Sequence, residues 1–178
     1  MKNLHKDARW GINRAIREGL VVEQSEDFDS IYSLYKETVL LGGTNPESVE
    51  KLKQESKVMF VCKKGEKIIA TAGIEMRSNK PVLYFNASLK EYQNMQPNNL
   101  LYWECIKWCK KNGFKEFDLG GWQINAHGHL DGVNKFKEKW GKVIYYKEDY
   151  SIFKAIGRKL IRNSGFFWWL NKKLRGRK

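Results

Sequence analysis

Two adjacent glycines, Gly120 and Gly121, follow Glu116–Leu119, a segment with the pattern of a strand. Paired glycines at the end of a strand allow a ligand to approach the backbone closely, and a tight turn accounts for the same pair equally well. Trp122 extends this candidate binding segment by one residue. The segment therefore predicts either a ligand-binding turn or a purely structural one.

A lysine flanked by aromatic residues is the second candidate. Lys137 lies directly after Phe136 and three residues before Trp140. Aromatic packing around its stem would hold the ammonium group in a fixed position beside a sheet. The competing interpretation is a solvated surface lysine, since the chain carries 33 Lys and Arg residues.

The third candidate is the start of a predicted helix over residues 98–112. The first backbone N–H groups of a helix lack partners within the helix and favour an anion. Asn98 and Asn99 are placed where side chains commonly cap such groups. The sequence thus predicts an anion site with asparagine caps at this helix start.

Metal and nucleophile chemistry has weaker support. Cys105 and Cys109 are four residues apart on an apolar helix face, where free cysteines usually act as small hydrophobic core residues. His127 and His129, with Asp131 after them, lie in a glycine-containing loop without a further strong ligand. We therefore expect a solvated loop and no metal site. The phosphate-binding motifs GxxxxGK(S/T) and GxGxxG are absent from the sequence.

Composition limits the class of protein. The chain has 178 residues, of which 42% are hydrophobic, so it is long and apolar enough to build a folded domain. No apolar run approaches the roughly 18 residues of a membrane-spanning helix, and the first residues lack the apolar stretch of a secretory signal. Three cysteines without a CxxC pair argue against disulfides and for a reducing compartment. We expect a soluble, cytoplasmic domain.

The net charge of +13 is concentrated in the last 28 residues. Residues 151–178 contain nine bases and no acid, so residues 1–150 hold the other 24 of the 33 bases against all 20 acids, a net of +4. The same tail contains the aromatic run Phe166-Phe167-Trp168-Trp169. Cations beside aromatic anchors are typical of a segment lying on an anionic membrane surface. A helix packed on the domain and a nucleic-acid-binding segment are the two other interpretations.

The remaining pattern predicts one mixed α and β domain over residues 1–150 without linkers or repeats. Apolar spacing and cap signals predict the helices, and short apolar runs bounded by glycine and polar turns predict the strands. Ser25 is expected to cap the second helix, and Ile16 is expected on the buried stripe of the first. Two short connections, 63–66 and 78–80, predict hairpins and an antiparallel sheet. The expected helices are 6–18, 26–39, 46–54, 98–112 and 132–140, and the expected strands are 20–22, 58–62, 68–76, 82–88, 116–119 and 143–147.

Five segments in order, between about His5 and Tyr150, resemble the second domain of the Fem peptidyltransferase family, which builds peptidoglycan cross-bridges, and its relatives in the GNAT acyltransferase superfamily. The segments are Lys6–Gly19, the helix Asp27–Val39, Pro97-Asn98-Asn99-Leu100-Leu101-Tyr102-Trp103-Glu104, Phe117-Asp118-Leu119-Gly120-Gly121 and Phe136-Lys137-x-x-Trp140-Gly141. The resemblance implies an α+β GNAT fold, with a mixed, mostly antiparallel sheet splayed at its centre and helices on both faces.

The resemblance also implies roles for single residues. The Phe-Lys motif of the Fem family falls on Phe136 and Lys137. Lys137 is then expected to stabilise the oxyanion formed when an acceptor amine attacks an aminoacyl ester. The residues expected to bind substrate are Asn98, Asn99, Tyr102, Gly120, Gly121, Trp122, Arg9 and Arg14, the two arginines as partners of an acceptor phosphate.

Two acyl donors compete. GNAT enzymes that use acyl-CoA bind its pyrophosphate on a glycine-containing loop after the fourth strand, and residues 88–97 in the corresponding stretch contain no glycine. A loop that turns its N–H groups around a pyrophosphate is hard to build in this way. The sequence therefore favours the Fem-like branch, which takes an amino acid from aminoacyl-tRNA and needs no bound cofactor.

The resemblance leaves the acceptor and the assembly open. Fem enzymes have two GNAT-like domains, whereas this chain matches the second, so it is a single-domain relative, a half that needs a partner domain or another copy, or an inactive fragment. The expected acceptor is an amine of a cell-wall or lipid-linked glycan precursor. The alternatives are acyl-CoA-dependent acylation of an amino sugar and a non-enzymatic module that tethers a partner to the membrane. The tail at 151–178 would bring the domain to the inner face of the cell membrane.

Overall fold

The computed structural model describes residues 4–143. Residues 4–142 belong to one compact unit. No helix in this part of the chain is long and apolar enough to cross a membrane. The elements in chain order are α1 (Lys6–Arg17), β1 (Leu20–Gln24), α2 (Phe28–Leu41), α3 (Val49–Glu55), β2 (Val58–Lys64), β3 (Lys67–Arg77), β4 (Lys80–Ser88), a 3₁₀ helix (Lys90–Met95), α4 (Pro97–Lys111) and α5 (His129–Glu138).

The four strands form one antiparallel sheet in the order β1-β2-β3-β4. Both predicted hairpins are confirmed. Ser78 and Asn79 have φ angles of 48° and 62°, which is the twist that a two-residue hairpin turn requires. Tight turns therefore fix the register of β2, β3 and β4 on one another.

Helices cover both faces of the sheet, as predicted for the α+β class. Alternate strand residues point to opposite faces, so Phe60 and Cys62 face one layer and Val61 the other. One core joins the sheet to α1 and α4 through residues such as Ile12 and Leu101. The second core joins it to α2 and α3, and it contains the side chains Phe28, Ile31, Leu34, Tyr35, Leu52, Val61, Phe85 and Ala87.

The predicted strand 116–119 is wrong as a strand, because it contributes a single parallel bridge between Asp118 and Val82. The Leu83 N–H donates to the Asp118 carbonyl at 2.7 Å, and the Asp118 N–H donates to the Pro81 carbonyl at 3.0 Å. Gly120 follows in the left-handed region, with φ of 77°, and turns the chain away after one pair. The predicted strand 143–147 and the tail 151–178 lie outside the described residues, apart from Val143.

Several predicted helix ends and one predicted buried residue are also wrong. Asp27 rather than Ser25 caps α2, because its Oδ1 accepts from the Ser30 N–H at 3.2 Å. Helix α3 begins at Val49 instead of residue 46, with Ser48 as its cap. Ile16 is 53% exposed. The face of α1 that packs on the core consists of Ala8, Gly11, Ile12 and Ala15, and Ile16 lies beside this face.

A β-bulge interrupts the pairing of β3 with β4. Gly73 pairs with Phe85, and the next residue, Ile74, pairs with Leu83. Tyr84 is therefore the extra residue of β4, and a bulge of this kind bends its strand. The Phe85 ring occupies the space above Gly73, where a Cβ atom would collide with it.

We predict that Gly73→Ala destabilises the protein by about 1–3 kcal/mol, because the buried Phe85 ring has to shift to admit the methyl group. Chemical denaturation measures this change in the free energy of unfolding. The control is Gly132→Ala in α5, where a Cβ atom meets open space. This control should be neutral or stabilising by up to about 1 kcal/mol. Equal effects of the two substitutions would contradict the assignment.

Candidate functional site

The free edge of β4 is the structural basis of the candidate site. β4 pairs with β3 on one side, and on the other side its bridge to Asp118 ends at Leu83. The bulge at Tyr84 follows directly. Among residues 4–143, no strand pairs with the second half of β4 on this side, so a gap opens between β4 and the turn that contains Gly120.

The two predicted glycines lie at the start of this gap. A Cβ atom on Gly120 would lie 3.1 Å from the Leu83 carbonyl oxygen, so close backbone approach and the positive φ both require glycine there. The Gly120 N–H donates to Oδ1 of Asp118 at 2.8 Å, which closes the turn. A Cβ atom on Gly121 would meet nothing within 4 Å. The predicted tight turn is confirmed, and a ligand-binding role for the pair stays a prediction.

Lys137 reaches the same turn from α5. Its Nζ donates to the Gly121 carbonyl at 2.8 Å and lies 3.9 Å from the Cβ position of Gly120. Partial burial lowers the pKa of Lys137 below its ordinary value, and the nearby Asp118 carboxylate opposes that shift. The structure thus brings Lys137, Gly120 and Gly121 together, as a common site requires.

Two anchors hold α5 in this position. The edge of the Phe136 ring packs against Tyr102 of α4, with 4.9 Å between the ring centroids. Trp140 packs on the same tyrosine at 5.8 Å. The Asn134 amide is bonded to both backbone groups of Gln123 and so fixes the loop between the glycines and α5. Phe136 therefore positions the neighbouring lysine, and Tyr102 is a buried packing partner.

The lysine geometry fits the stabilisation of a developing negative charge. An ammonium group has three N–H donors, and the Gly121 carbonyl takes one of them. The partly buried ammonium is held in place before a ligand arrives, which is the arrangement that stabilises an oxyanion in acyl transfer. Its lowered pKa means that a rise in pH removes this charge earlier than from an ordinary lysine.

At the start of α4, both asparagine side chains are bonded to other protein groups, and anion binding by the helix N–H groups stays a prediction. The prediction that Asn98 or Asn99 caps the helix is wrong, because Gln96 is the N-terminal cap residue and makes no side-chain cap bond. Asn98 accepts from the Asn86 amide at 3.2 Å and donates to the Ser88 hydroxyl at 3.1 Å. Asn99 is 3% exposed and donates to the Gln96 side chain at 2.8 Å.

The other predicted site residues are dispersed. Arg9 is exposed on α1, and Arg14 forms an ion pair with Glu18 at 2.7 Å. No hydrogen bond or ion pair within residues 4–143 joins either arginine to Lys137. Trp122 is half-buried in the loop after the glycines. Substrate roles for these residues stay predictions.

A clamped carboxylate, Glu47, was missed by sequence reasoning. Tyr84, the bulge residue, donates its hydroxyl hydrogen bond to Glu47 Oε2. The Tyr32 hydroxyl donates to the Glu47 carbonyl at 3.1 Å, and the Tyr35 hydroxyl accepts from the Glu47 N–H at 3.3 Å. No sequence signal connects these residues, since the three tyrosines come from α2 and β4.

Charge stabilises the Glu47 carboxylate in its ionised form. Its Oε1 lies 2.5 Å from Lys51 Nζ, and the bonds from Lys51 and Tyr84 lower its pKa. Burial, together with the bond to Glu47, raises the pKa of Tyr84, so the phenol remains a donor. The carboxylate is therefore a fixed anion beside the bulge of β4.

The cysteines pack in the core of the described part of the chain. Cys62, Cys105 and Cys109 are free and buried, as predicted for the last two, and burial raises the pKa of Cys109 to about 11. Thiols with raised pKa values are poor nucleophiles. Among the side chains that the structure describes, which do not include that of His129, no group of three or more His, Cys, Asp or Glu is placed to hold a metal ion.

Solved structures with the same architecture include acyl-transfer proteins. FemX matches with a TM-score of 0.65 and 14% identity, over 77% of this chain and 54% of the FemX chain. L-PGS from Bacillus licheniformis matches with a TM-score of 0.58 and 20% identity, over 78% of this chain and 51% of the L-PGS chain. The ribosomal-protein-S18-alanine N-acetyltransferase from Escherichia coli matches with a TM-score of 0.57 and 15% identity, over 74% of this chain and 83% of the acetyltransferase chain. At these identities the likeness shows the fold alone.

The chain spans about half the length of FemX and of L-PGS. No curated protein sequence matches it significantly. A family model does: the acetyltransferase (GNAT) domain matches residues 2–138, which include every described helix and strand. With the antiparallel sheet, the helices on both faces and the open edge of β4, this match confirms the predicted GNAT fold. The chain belongs to the family of acetyltransferase (GNAT) domains.

Proposed function

We propose that this GNAT-type acyltransferase works as Fem enzymes do, transferring an amino acid from aminoacyl-tRNA to an amine of a cell-wall or lipid-linked glycan precursor. The observation that carries the proposal is the Lys137 ammonium, held against the Gly120 turn at the free edge of β4. The acceptor amine attacks the ester carbonyl, and Lys137 stabilises the resulting oxyanion. The attack forms the C–N bond; when the oxyanion collapses, the C–O bond to the tRNA ribose breaks, and the amine proton passes to the departing ribose oxygen.

The segment before α4 supports a donor other than acyl-CoA. Leu89 and two residues of the 3₁₀ helix, Tyr92 and Met95, pack against the core. The side of this segment that faces the domain is therefore occupied by its own side chains. Glu91 forms an ion pair with Lys67 at 3.0 Å, which places a carboxylate on the segment where acyl-CoA enzymes bind a pyrophosphate. The segment thus has a packed apolar face and no glycine turn of inward N–H groups to hold a pyrophosphate.

Acyl-CoA-dependent N-acetylation is the second candidate function. The observation that favours it is the match to the S18-alanine N-acetyltransferase, which extends over 83% of that chain, whereas only about half of FemX is covered. A small-molecule donor requires no second domain. The two donors are separated directly by assays with charged tRNA and with acetyl-CoA.

For Lys137, we predict that Lys137→Met lowers the transfer rate about 10²–10³-fold, the usual cost of losing one oxyanion donor. The assay follows a labelled amino acid from charged tRNA to UDP-linked or lipid-linked muropeptides, with acetyl-CoA as the parallel donor. Lys135→Met, in the same helix but exposed and paired with Asp131, is the control and should leave the rate unchanged.

The pH dependence provides a second readout of the same residue. The active form carries the ammonium, so the rate should fall as pH rises through the lowered pKa of Lys137. Lys137→Arg keeps the charge to higher pH and should move this alkaline fall upward. An unchanged rate in a folded Lys137→Met variant would contradict the role, and transfer from acetyl-CoA alone would select the second function.

We further propose that Glu47 binds the acceptor amine in its ammonium form, which loses one proton to solvent before the neutral amine attacks the ester. Tyr84 bonds the carboxylate, while Tyr32 and Tyr35 hold the backbone of Glu47. Tyr84 is the bulge residue of β4, next in sequence to Leu83 at the gap. The ammonium of Lys51 already lies 2.5 Å from Oε1, which shows that a primary ammonium fits there. An incoming amine would replace Lys51 in that contact.

We predict that Tyr84→Phe lowers the free energy of unfolding by about 1 kcal/mol at pH 7, the net value of one partly exposed hydrogen bond to a charged group. The lowered pKa of Glu47 means that this stabilisation is present above the ordinary carboxyl pKa and is lost as pH falls through the folded-state pKa. The difference in free energy of unfolding between the variant and the unmodified protein should therefore shrink as pH falls from about 5 through the lowered pKa of Glu47.

The matched control is Tyr32→Phe, which removes a bond to the Glu47 carbonyl and leaves the carboxylate partners in place. Its effect on stability should be independent of pH in this range. Denaturation at several pH values gives both results, and a pH-independent loss for Tyr84→Phe would refute the assignment. For the amine-binding role, Glu47→Gln should raise KM for the acceptor more than it lowers kcat.

The basic tail at 151–178 is proposed to hold the enzyme on an anionic membrane surface. We predict that the full chain sediments with phosphatidylglycerol vesicles, less so at high salt, and does not sediment with phosphatidylcholine vesicles. Changing the last five bases, Lys172, Lys173, Arg175, Arg177 and Lys178, to Gln should weaken sedimentation strongly, at roughly 1 kcal/mol per base. Unaltered binding by this variant would refute the membrane role.

A further inference from the structure

A groove lies at the edge of the sheet opposite to the acyl-transfer site. It runs between β1, the outer strand, and the second half of α4, and its volume is about 720 Å³. Val22, Phe60 and Trp108 contribute apolar lining. The remaining lining residues are Glu23, Gln24, Glu104, Lys107, Lys110 and Lys111. Nothing in the proposed reaction uses this surface.

The outer edge of β1 offers unpaired backbone groups to the groove. The Ser25 N–H donates to the carbonyl of its partner, Met59. Backbone bonding alternates along an antiparallel pair, so the residues that bond to β2 are 25, 23 and 21. The N–H and C=O groups of Val22 and Gln24 therefore point away from the sheet, and no backbone partner for them exists among residues 4–143.

The groove has a positive rim. Lys107, Lys110 and Lys111 are exposed and occupy one face of α4, at spacings of three and four residues. Lys107 is paired with Glu104 at 2.7 Å. Lys110 and Lys111 form no ion pair with another described residue, so two ammonium groups remain available beside an open strand edge.

We propose that this groove binds an extended acidic segment of a partner protein, which adds to β1 as a fifth strand. The backbone groups of Val22 and Gln24 would pair with the segment, and its acidic side chains would lie against Lys110 and Lys111. Strand addition of this kind takes its affinity from main-chain hydrogen bonds and its specificity from side chains alongside.

Packing and charge around the groove argue against three other occupants. Phe114 stacks on the Trp108 ring at 5.9 Å and Phe60 meets it edge-on at 6.5 Å, which leaves little open indole face for a nucleic-acid base. A second copy paired edge to edge would bring the lysines of its α4 close to Lys107, Lys110 and Lys111 of the first copy, and these like charges repel. The tail of this chain, 151–178, carries nine bases and no acid, so it is repelled as well.

The test uses the full chain and a synthetic peptide of about six residues, a common strand length, in which Glu alternates with Val. Isothermal titration calorimetry should detect binding of this peptide and none of the Lys-Val peptide of the same pattern. The double variant Lys110→Glu/Lys111→Glu should weaken binding at least about tenfold, since it places like charges against the ligand. The control, Lys36→Glu/Lys90→Glu on exposed sites elsewhere, should bind as the unmodified protein does.

A second variant tests the strand pairing itself. Gln24→Pro removes an N–H that points away from the sheet, so the protein should fold normally and lose most of its affinity for the peptide. Absence of peptide binding, equal binding by the double variant, or preferential binding of a single-stranded oligonucleotide at this groove would each overturn the proposal. None of these results depends on the acyl-transfer assay, so failure of the peptide-binding proposal would leave the proposed enzymatic function untouched.

Discussion

One backbone pairing organises the candidate site. The Leu83 N–H bonds to the Asp118 carbonyl, and the parallel contact between β4 and this segment ends there. Tyr84, the next residue, is extra in the register and bends β4 away. Gly120, two residues after Asp118, passes close to the Leu83 carbonyl oxygen, and a Cβ atom there would lie only 3.1 Å from it. The gap, the position of Lys137 and the direction of Tyr84 all follow from this one contact and its abrupt end.

The two sides of β4 carry opposite charges. On the side of the core shared with α4, the aromatic contacts of Phe136 and Trp140 hold α5 so that Lys137 reaches the turn. The Tyr84 side chain belongs to the other core, with α2 and α3, and its hydroxyl holds the Glu47 carboxylate. The roles proposed for these two groups, oxyanion stabilisation by Lys137 and amine binding by Glu47, therefore fall on opposite faces of the sheet, one on each side of β4. Burial lowers the pKa of the first group, and hydrogen bonds lower the pKa of the second.

Local patterns predicted most of the fold. Two-residue turns and apolar strands predicted the antiparallel sheet, and the predicted helices are present because each has an apolar face to bury. The failures have physical causes. Helix α3 starts late because the backbone of Glu47 is bonded to two tyrosines instead of a helix. The segment around Asp118 pairs only once because Gly120 turns the chain, a tertiary outcome that its strand-like pattern does not contain.

The site was predictable only where its residues are close in sequence. Phe136 and Lys137 form one motif, and Gly120 and Gly121 form another, so the sequence could propose both, and the structure places Lys137 beside the two glycines. Glu47 and Tyr84 are 37 residues apart and meet through an unpaired bulge residue, which leaves no periodic signal. Asn98 was placed correctly at the start of α4, yet its amide is bonded to β4 instead of serving as a cap.

The most direct test is a crystal structure with a stable amide analogue of the aminoacylated 3′ end of tRNA. The measured quantity is the distance from Lys137 Nζ to the carbonyl oxygen of the analogue. Our account predicts a hydrogen-bond distance of about 3 Å, with that carbonyl in the gap beside Leu83. A carbonyl bound away from Lys137, or acetyl-CoA held in the gap with its pyrophosphate on residues 89–98, would contradict it.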